Sequence, residues 1–393
     1  MEKTRVAVFF GGRSPEHDVS IITGLQVLNA LGSDKYAGIP VYISSAGEWF
    51  TGDILRDRRI YIPSAESRRK LTQVSPVFSS DGRGRLRAKS GGFLSSPELL
   101  FDIAIPAFHG AFGEDGCFQG VMEMAGVPYT GMRHMASAIA MDKVATKAAV
   151  QARTAAPQLP YVVVRKTPGK SPVAPALPAG WNYPVIVKPA HLGSSIGVAK
   201  ADSPAEVTSV LQMIFVYDSK ALIEPYVAHR KEYNIAVRNT PAGVKTSAIE
   251  MPKSDAVLLD FKQKYMSGAG GGAKKSAVPS EGMLSLTREL NPAIDAGLEA
   301  NLRKWAVEIF AALDGTGAPR LDFIVDQDSG AAWFNEINPC PGSFGYFLWE
   351  ASAERILFGE LLSLLLDEAV DVLRQTDIPP DPVPGDARLF KRQ

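Results

Sequence analysis

Four polar residues near the C-terminus, Arg320, Asp322, Glu336 and Asn338, have types and spacing suited to holding a divalent metal beside a phosphate. They lie in Arg320-Leu-Asp-Phe-Ile-Val-Asp and Ala-Trp-Phe-Asn-Glu-Ile-Asn338, which a short Gln-Asp-Ser-Gly turn separates. Strand side chains alternate faces with a period of two, so a hairpin centred on Ser329 sets Asp322 opposite Glu336 and Arg320 opposite Asn338 on one face. Leu321, Phe323, Val325, Trp333 and Ile337 take the other face, as a sheet packed on a core requires. Carboxylate and amide oxygens suit Mg2+ or Mn2+, hard ions that complete their shells with phosphate oxygens and water. An arginine beside them points to phosphoryl transfer. Taken alone, the hairpin fits an ordinary solvated charged face equally well.

Other segments offer weaker signals. Gly268-Ala-Gly-Gly-Gly-Ala-Lys-Lys-Ser276 superficially matches a P-loop, but Ala273 stands where that motif needs glycine and no strand precedes it. A mobile lid that excludes water from a labile intermediate fits its composition, with a flexible linker as the alternative. Lys143 and Lys188 are candidates to neutralise triphosphate charge, although each alone also reads as a surface lysine. Gly193-Ser-Ser offers backbone N–H groups and hydroxyls in a turn, a way to hold phosphate without a Walker sequence. The five histidines show no metal-ligand spacing. His17, His134, His191 and His229 read as polar surface or loop residues, whereas His109 falls between a strand end and a Gly-rich turn.

The elements that must position these residues follow from hydrophobic patterning. Val6 to Phe10 reads as a strand, Gly11 to Asp18 as a Gly-rich turn, and Val19 to Leu31 as a helix, the opening of a doubly wound α/β fold. Strands are expected at Gly38 to Ile43 and Phe101 to Ala107, with a hairpin-bearing insertion between about 51 and 98 and a helix from Cys117 to Ala125. Glu16 and His109 then sit just past strand ends, where open parallel sheets bind ligands. After a boundary near Gly131, a helix is expected over 136–152 and strands at Tyr161 to Arg165, Pro184 to Pro189, Ala221 to Glu224 and Glu232 to Arg238. Helices should fill about 283–313 and Ala353 to Arg374, and the Pro- and Asp-rich tail beyond Ile378 should be loose.

Length and charge narrow the function classes. A chain of 393 residues exceeds what one hydrophobic core usually serves, so two or three domains are expected. Lys plus Arg and Asp plus Glu both total 42, so nothing favours nucleic acid or an anionic membrane as partner, and small molecules are expected instead. Cys117 and Cys340 are too few for a disulfide framework, which fits a reducing cytoplasm. No apolar run reaches the length of a membrane span.

Six blocks, in order, are similar to the ATP-grasp enzymes and within them to the D-alanine:D-alanine ligases. They are Phe9-Phe-Gly-Gly-Arg-Ser-Pro-Glu-His-Asp-Val-Ser20, Phe108-His-Gly-Ala-Phe-Gly-Glu-Asp-Gly116, Ala140-Met-Asp-Lys-Val-Ala-Thr-Lys147, Val187-Lys-Pro-Ala-His-Leu-Gly-Ser-Ser-Ile-Gly197, Lys264-Tyr-Met-Ser-Gly268 and Asn335-Glu-Ile-Asn-Pro-Cys-Pro-Gly342. The resemblance spans roughly residues 4 to 365. It implies a three-domain α/β ATP-grasp architecture, with a doubly wound N-terminal domain for the first amino acid (1–131), a central subdomain (132–238), a C-terminal domain carrying the metal site and lid (239–375), and a tail (376–393). It implies ATP contacts by Lys143, Lys188, Ser195 and Lys264, an adenine pocket of Glu224, Tyr226 and Val227, and a ribose contact by Glu232. Asp322, Glu336 and Asn338 would bind two Mg2+ ions, with Mn2+ as an alternative. Glu16 would fix the first amino group in a subsite lined by Val19 and His109, and Glu16, Ser194 and Tyr265 would form a hydrogen-bonded triad tying the first domain to the lid. Arg320 and the Gly342 N–H would offset charge as an acyl phosphate forms and a second amine attacks it. A homodimer is also implied.

One departure concerns the second amino acid. The family's serine hydroxyl that helps bind its carboxylate is replaced by Phe347, and Pro339 stands where the family has threonine. Ser343 and Tyr346 are nearby candidates to compensate, with Leu348 beside them, and the departure admits a different or larger second substrate. Two rivals remain beside a D-alanine ligase of peptidoglycan synthesis. One is a related ligase with another acceptor, and the other is a nucleotide-binding regulatory protein that has lost turnover, which intact Arg320, Asp322, Glu336 and Asn338 oppose.

Overall fold

The computed structural model describes residues 2–61, 71–77, 82–89, 98–253, 288–376, 384, 387 and 388. Strand β1 (Thr4–Gly11), helix α1 (His17–Ala30) and strand β2 (Tyr36–Ile43) follow the succession that the hydrophobic pattern predicts. β1 pairs in parallel with β2 on one side and with β7 (Ile103–Pro106) on the other. Its residues Val6 to Gly11 are all buried, as a central parallel strand covered on both faces must be. α1 approaches closely through Gly24, where a Cβ would come within 2.4 Å of the Phe10 ring. Only glycine permits that packing.

The stretch expected as a hairpin-bearing insertion extends this same sheet with antiparallel hairpins. Strands β3 (Trp49–Thr51), β4 (Thr72–Val77), β5 (Gly84–Ala88) and β6 (Glu98–Phe101) continue from β2 in antiparallel fashion, giving the order β6-β5-β4-β3-β2-β1-β7. The sheet is therefore mixed, and parallel only around β1. Helix α2 (Cys117–Met124) follows as expected. The single helix expected over 136–152 is two, α3 (His134–Met141) and α4 (Lys143–Arg153). Asp142 takes extended backbone angles between them, and its carboxylate accepts the Val144 and Ala145 N–H groups, starting a new helix with Lys143 at its first position.

A second, antiparallel sheet contains β8 (Val162–Arg165), β9 (Val185–Pro189), β10 (Ala199–Ala201) and β11 (Lys220–Pro225) in the order β10-β9-β11-β8. Helix α5 (Pro204–Tyr217), capped by the Ser203 hydroxyl, packs on it. The third sheet has the order β14-β13-β12-β15-β16, with β12 (Arg230–Thr240), β13 (Gly243–Pro252), β14 (Arg288–Leu290), β15 (Arg320–Asp326) and β16 (Ala332–Asn338). Glu232 to Arg238, expected among the central strands, thus belongs to this sheet. Residues 288–290 are strand rather than helix, and helix α6 (Ala296–Ala312) begins only after Asp295 caps it.

The closing helix also differs from expectation. A short helix α7 (Tyr346–Glu350) precedes α8 (Phe358–Thr376), and residues 353–357 between them are not helical. α8 packs on the first sheet. Its Leu361, Leu362, Leu365 and Leu366 are buried with Val6, Val8 and Ile105 of the first sheet. Each such leucine contributes about 1.5–3 kcal/mol by burial, enough to bring the chain's last helix back onto its first strands. Among the described residues no helix is long and apolar enough to cross a membrane. The Gly-rich run 268–275 and most of the tail lie outside the described residues.

Candidate active site

The hairpin β15–β16 pairs Arg320 with Asn338 and Asp322 with Glu336, as strand alternation predicts. Beyond Asp322 the register shifts by one, and Phe323 faces Phe334 instead of Asn335. This bulge corrects the expected apolar face: Phe334 is fully buried in the core, whereas Trp333 is only half-buried. The extra residue, Asn335, accepts a hydrogen bond from Lys188 Nζ at 2.8 Å, so the bulge redirects an amide toward the polar site. Successive register pairs align Glu250, Asn234, Asp322 and Glu336 across four strands on one face. Asn234 and Glu250 were not singled out in the sequence, since only the pairing of β12 and β13 with the hairpin brings them there.

Cations neutralise the carboxylates on this face. Arg320 grips Asp322 with two parallel bonds of 2.7 and 2.8 Å, and Asn338 Nδ2 donates to the same carboxylate at 2.9 Å. Burial pushes Asp322 up and Glu336 reinforces it, while Arg320 opposes them. Burial acts on Glu336 too, but Lys143 and Lys188 outweigh it and hold that carboxyl low. Lys143 Nζ lies 3.0 Å from Glu336 and donates to the Leu192 carbonyl at 2.8 Å. The donor set of Asp322, Glu336 and Asn338 is all oxygen and fits a hard divalent ion. Among the described residues no cluster of three His, Cys, Asp or Glu could hold a metal unaided. Two carboxylates and an amide leave coordination positions for phosphate oxygens, the usual arrangement for Mg2+.

Below this face lies a buried ion triplet. Glu224 is 1% exposed, and its two carboxylate oxygens meet Lys147 Nζ at 2.7 Å and Lys188 Nζ at 2.5 Å. Lys147 was not assigned a role from sequence. The available signal was its position four residues after Lys143, which places both lysines on one face of α4. Burial lowers the Lys147 pKa against the pull of Glu224.

The first sheet delivers Glu16 and His109 from the carboxyl ends of β1 and β7. Glu16 is buried and accepts a hydrogen bond from the Ser194 hydroxyl of the Gly-Ser loop. Burial raises its pKa, while Ser194 and the nearby Lys143 oppose that rise. Ser194 and Ser195 both have positive φ, 50° and 57°, a strained backbone of the kind held at ligand sites. His109 Nε2 is 2.8 Å from the Thr23 hydroxyl, and burial depresses its pKa to about 4, so the ring is neutral. Glu114, quoted in the sequence only as part of a block, accepts the Gly110 and Cys340 N–H groups and ties the Gly-rich turn to the segment after β16. Burial pushes its carboxyl up to about 8.

The remaining candidates are distributed around this centre. Val19 is 45% exposed on α1. Tyr226 and Val227 are half-buried after β11, with the Lys200 ammonium 5.3 Å from the Tyr226 ring, and Glu232 meets Arg230 at 3.3 Å. Gly342 opens a tight turn in which Ser343 and Phe344 have positive φ, and the Ser343 hydroxyl donates to Gln26. Phe347 lies under the Arg288 guanidinium, whereas Leu348 is fully buried in the core beside α1. Lys264 and Tyr265 lie outside the described residues.

Comparison with known proteins places this geometry. The family model described as D-ala D-ala ligase N-terminus matches residues 5–132, and that described as D-ala D-ala ligase C-terminus matches residues 150–367. A D-alanine–D-alanine ligase of Thermosipho africanus is 31% identical over 369 residues, covering 94% of both chains. That of Chlorobium limicola is 33% identical over 376 residues, covering 94% of this chain and 98% of the other. Among solved structures, the D-alanine-D-alanine ligase from Coxiella burnetii superimposes with a TM-score of 0.73 at 23% identity, covering 95% of this chain and 96% of the other. The VanG D-Ala:D-Ser ligase from Enterococcus faecalis gives 0.70 at 22% identity, covering 95% and 100%. At these identities the structural likeness establishes the fold, an α/β ATP-grasp architecture.

Proposed function

The chain belongs to the D-alanine–D-alanine ligase family, and from that premise we propose that it joins two D-alanine molecules at the expense of ATP, releasing ADP and phosphate, to make the dipeptide of peptidoglycan precursors. One observation carries this reading. The buried Glu16 carboxylate, suited to an amino group, is bonded to Ser194 of the Gly-Ser loop and feels both Lys143 and Glu336 of the polar hairpin site. The proposed amino-acid subsite and the proposed phosphate site would then meet in one place, which supports carboxylate activation by ATP.

In the proposed reaction Glu16 holds the first amino group, with neutral His109 and Val19 lining its subsite, so that the substrate carboxylate can attack the γ-phosphate. Lys143, Lys188 and Lys264 neutralise the phosphates, Ser195 sits in the loop that cradles them, Glu224, Tyr226 and Val227 line the adenine side, and Glu232 meets the ribose. Two Mg2+ ions, or Mn2+, held by Asp322, Glu336 and Asn338 would supply charge neutralisation on the transferring phosphoryl group. The attack forms an acyl phosphate and ADP. The second amine then attacks the acyl carbon, losing its proton, and phosphate leaves as the peptide bond forms. Arg320 and the Gly342 N–H stabilise the negative charge that develops in both steps, and Ser194, Glu16 and Tyr265 link the first domain to the lid. Functionally the chain divides into an amino-acid unit to about Gly131, a central nucleotide unit ending between Pro225 and Arg230, and a C-terminal unit with the metal site. We also propose a homodimer working in the cytoplasm, which sedimentation and fractionation test.

Phosphate release from Mg-ATP, measured against single and paired D- and L-amino acids with the product identified by mass, tests the reaction. Release with D-alanine alone and a D-alanyl-D-alanine product are expected. Release only with a mixed pair would favour a ligase with another acceptor, the reading that Phe347 keeps open. No stimulation by any amino acid would overturn the ligase reading in favour of a nucleotide-binding regulator.

A further inference from the structure

We infer that Arg288 grips the α-carboxylate of the second amino acid, replacing the hydroxyl that Phe347 removes from this subsite. The inference rests on the ligase reading above and concerns one half of its active site. Arg288 lies on β14 with its guanidinium carbon 4.1 Å from the centre of the Phe347 ring. A guanidinium stacked on an aromatic face is fixed in plane while its N–H groups point outward along its edge. One of these, Nη1, meets Glu250 Oε1 at 3.0 Å, whereas Nε is buried without a hydrogen-bond partner among the described residues. A buried N–H left unpaired is unfavourable until an acceptor arrives.

Of the two neighbours considered for the same task, Ser343 has its hydroxyl engaged and Tyr346 has its ring held in a stack. The Ser343 hydroxyl donates to Gln26, and the Tyr346 ring stacks on Phe358 at 4.8 Å between centres. Arg288 is also well placed along the sheet. Its partner Glu250 stands in the cross-strand row that continues through Asn234 to Asp322 and Glu336, and Glu250 acts electrostatically on Arg320 as well. Glu250 thus lies between two arginines and does not cancel the charge of Arg288 alone. A carboxylate can take the forked, charge-assisted contact that suits arginine, on the aromatic platform that stands where a hydroxyl donor would otherwise be. Phe347 is then a support for the arginine rather than a lost contact. The acceptor class follows: an amine carrying a free α-carboxylate, with the corresponding amide a poor substitute.

The test is two-substrate steady-state kinetics on the full-length enzyme, with D-alanine and D-alaninamide compared as acceptors, for wild type, Arg288→Gln, Arg288→Lys and Phe347→Leu. Loss of a charge-assisted contact predicts that Arg288→Gln raises the second amino acid's KM about 10- to 100-fold, leaves the first amino acid's KM within about twofold, and narrows the preference for D-alanine over its amide. Arg288→Lys keeps the charge and loses the fork, so the second KM rises less. Phe347→Leu removes the platform and moves the same constant in the same direction. A second KM unchanged in Arg288→Gln, or in Arg288→Lys should the first variant misfold, overturns the proposal while the ligase reading stands. A wild type that ligates nothing overturns both.

Discussion

The Ser194 hydroxyl donates a hydrogen bond to the buried carboxylate of Glu16, joining residues 178 positions apart. The contact is close on both sides: a Cβ on the adjoining Gly193 would lie 3.0 Å from Glu16 Oε2. The Gly-Ser loop of the second sheet is thereby fastened to the first β-strand's outlet. The loop proposed to hold phosphate cannot shift without disturbing the carboxylate proposed to hold the first amino group.

Ser194→Ala removes this donor and leaves Glu16 against burial with less compensation. Its pKa, already raised by burial, should rise further. The first amino acid's KM is expected to rise about tenfold, the loss of one hydrogen bond to a charged group. Its pH profile should shift upward, because Glu16 must ionise to bind an ammonium. An unchanged pH profile would remove Glu16 from that role.

Arg320→Ala should lose about a hundred- to thousandfold in kcat, the usual effect of deleting one donor to a developing charge. The structure adds a second consequence. Arg320 holds buried Asp322 by two bonds, so the variant should also melt earlier than wild type, a point that differential scanning calorimetry decides.

Chelation should abolish turnover and leave the fold intact. Arg320 neutralises Asp322, and Lys143 neutralises Glu336, without a metal. In the absence of nucleotide, EDTA is therefore expected to move the melting temperature by less than about 2 °C while Mg2+ restores activity. A large drop in melting temperature would mean that the metal is structural.

Glu224→Gln leaves Lys147 and Lys188 buried without their shared carboxylate. Breaking such a buried pair costs about 3–5 kcal/mol, measurable by urea unfolding at pH 7. The deficit should shrink as pH rises toward 10, because a buried lysine without its carboxylate deprotonates more readily. A deficit independent of pH would indicate lost packing instead.

His191 contributes a pH-dependent restraint. Its Nδ1 is 2.7 Å from Asp218 and its Nε2 3.4 Å from Asp142, the residue that caps α4. Hydrogen bonds to Asp142 and Asp218 raise its pKa from 6.5 to about 9. A raised histidine pKa means stability that is complete below about pH 6.5 and is lost as pH rises through about 9. The melting-temperature difference between wild type and His191→Gln should therefore be largest near pH 6 and fade by pH 10. A constant difference across that range would assign His191 a packing role only.

The parts of the site that sequence made legible were those governed by local rules. Alternation along a strand placed Asp322 opposite Glu336, and the strand ends expected at Phe10 and Ala107 located Glu16 and His109 at one edge of a sheet. The bulge at Asn335 escaped notice because a one-residue register slip depends on what the facing strand and core accept, and nothing in the apolar pattern records it. Lys147 was given no role, since its complete burial follows only from the meeting of α4 with β11.

Sequence by itself determined the polar hairpin, the α/β succession and the blocks that mark the family, because each is written in neighbours a few residues apart. Tertiary structure decided that α8 returns to the first sheet, that Glu250 and Asn234 extend the polar face of Asp322 and Glu336, and that Arg288 lies over Phe347. Those relationships join segments far apart in the chain, and their energies come from burial and charge pairing that no local window contains.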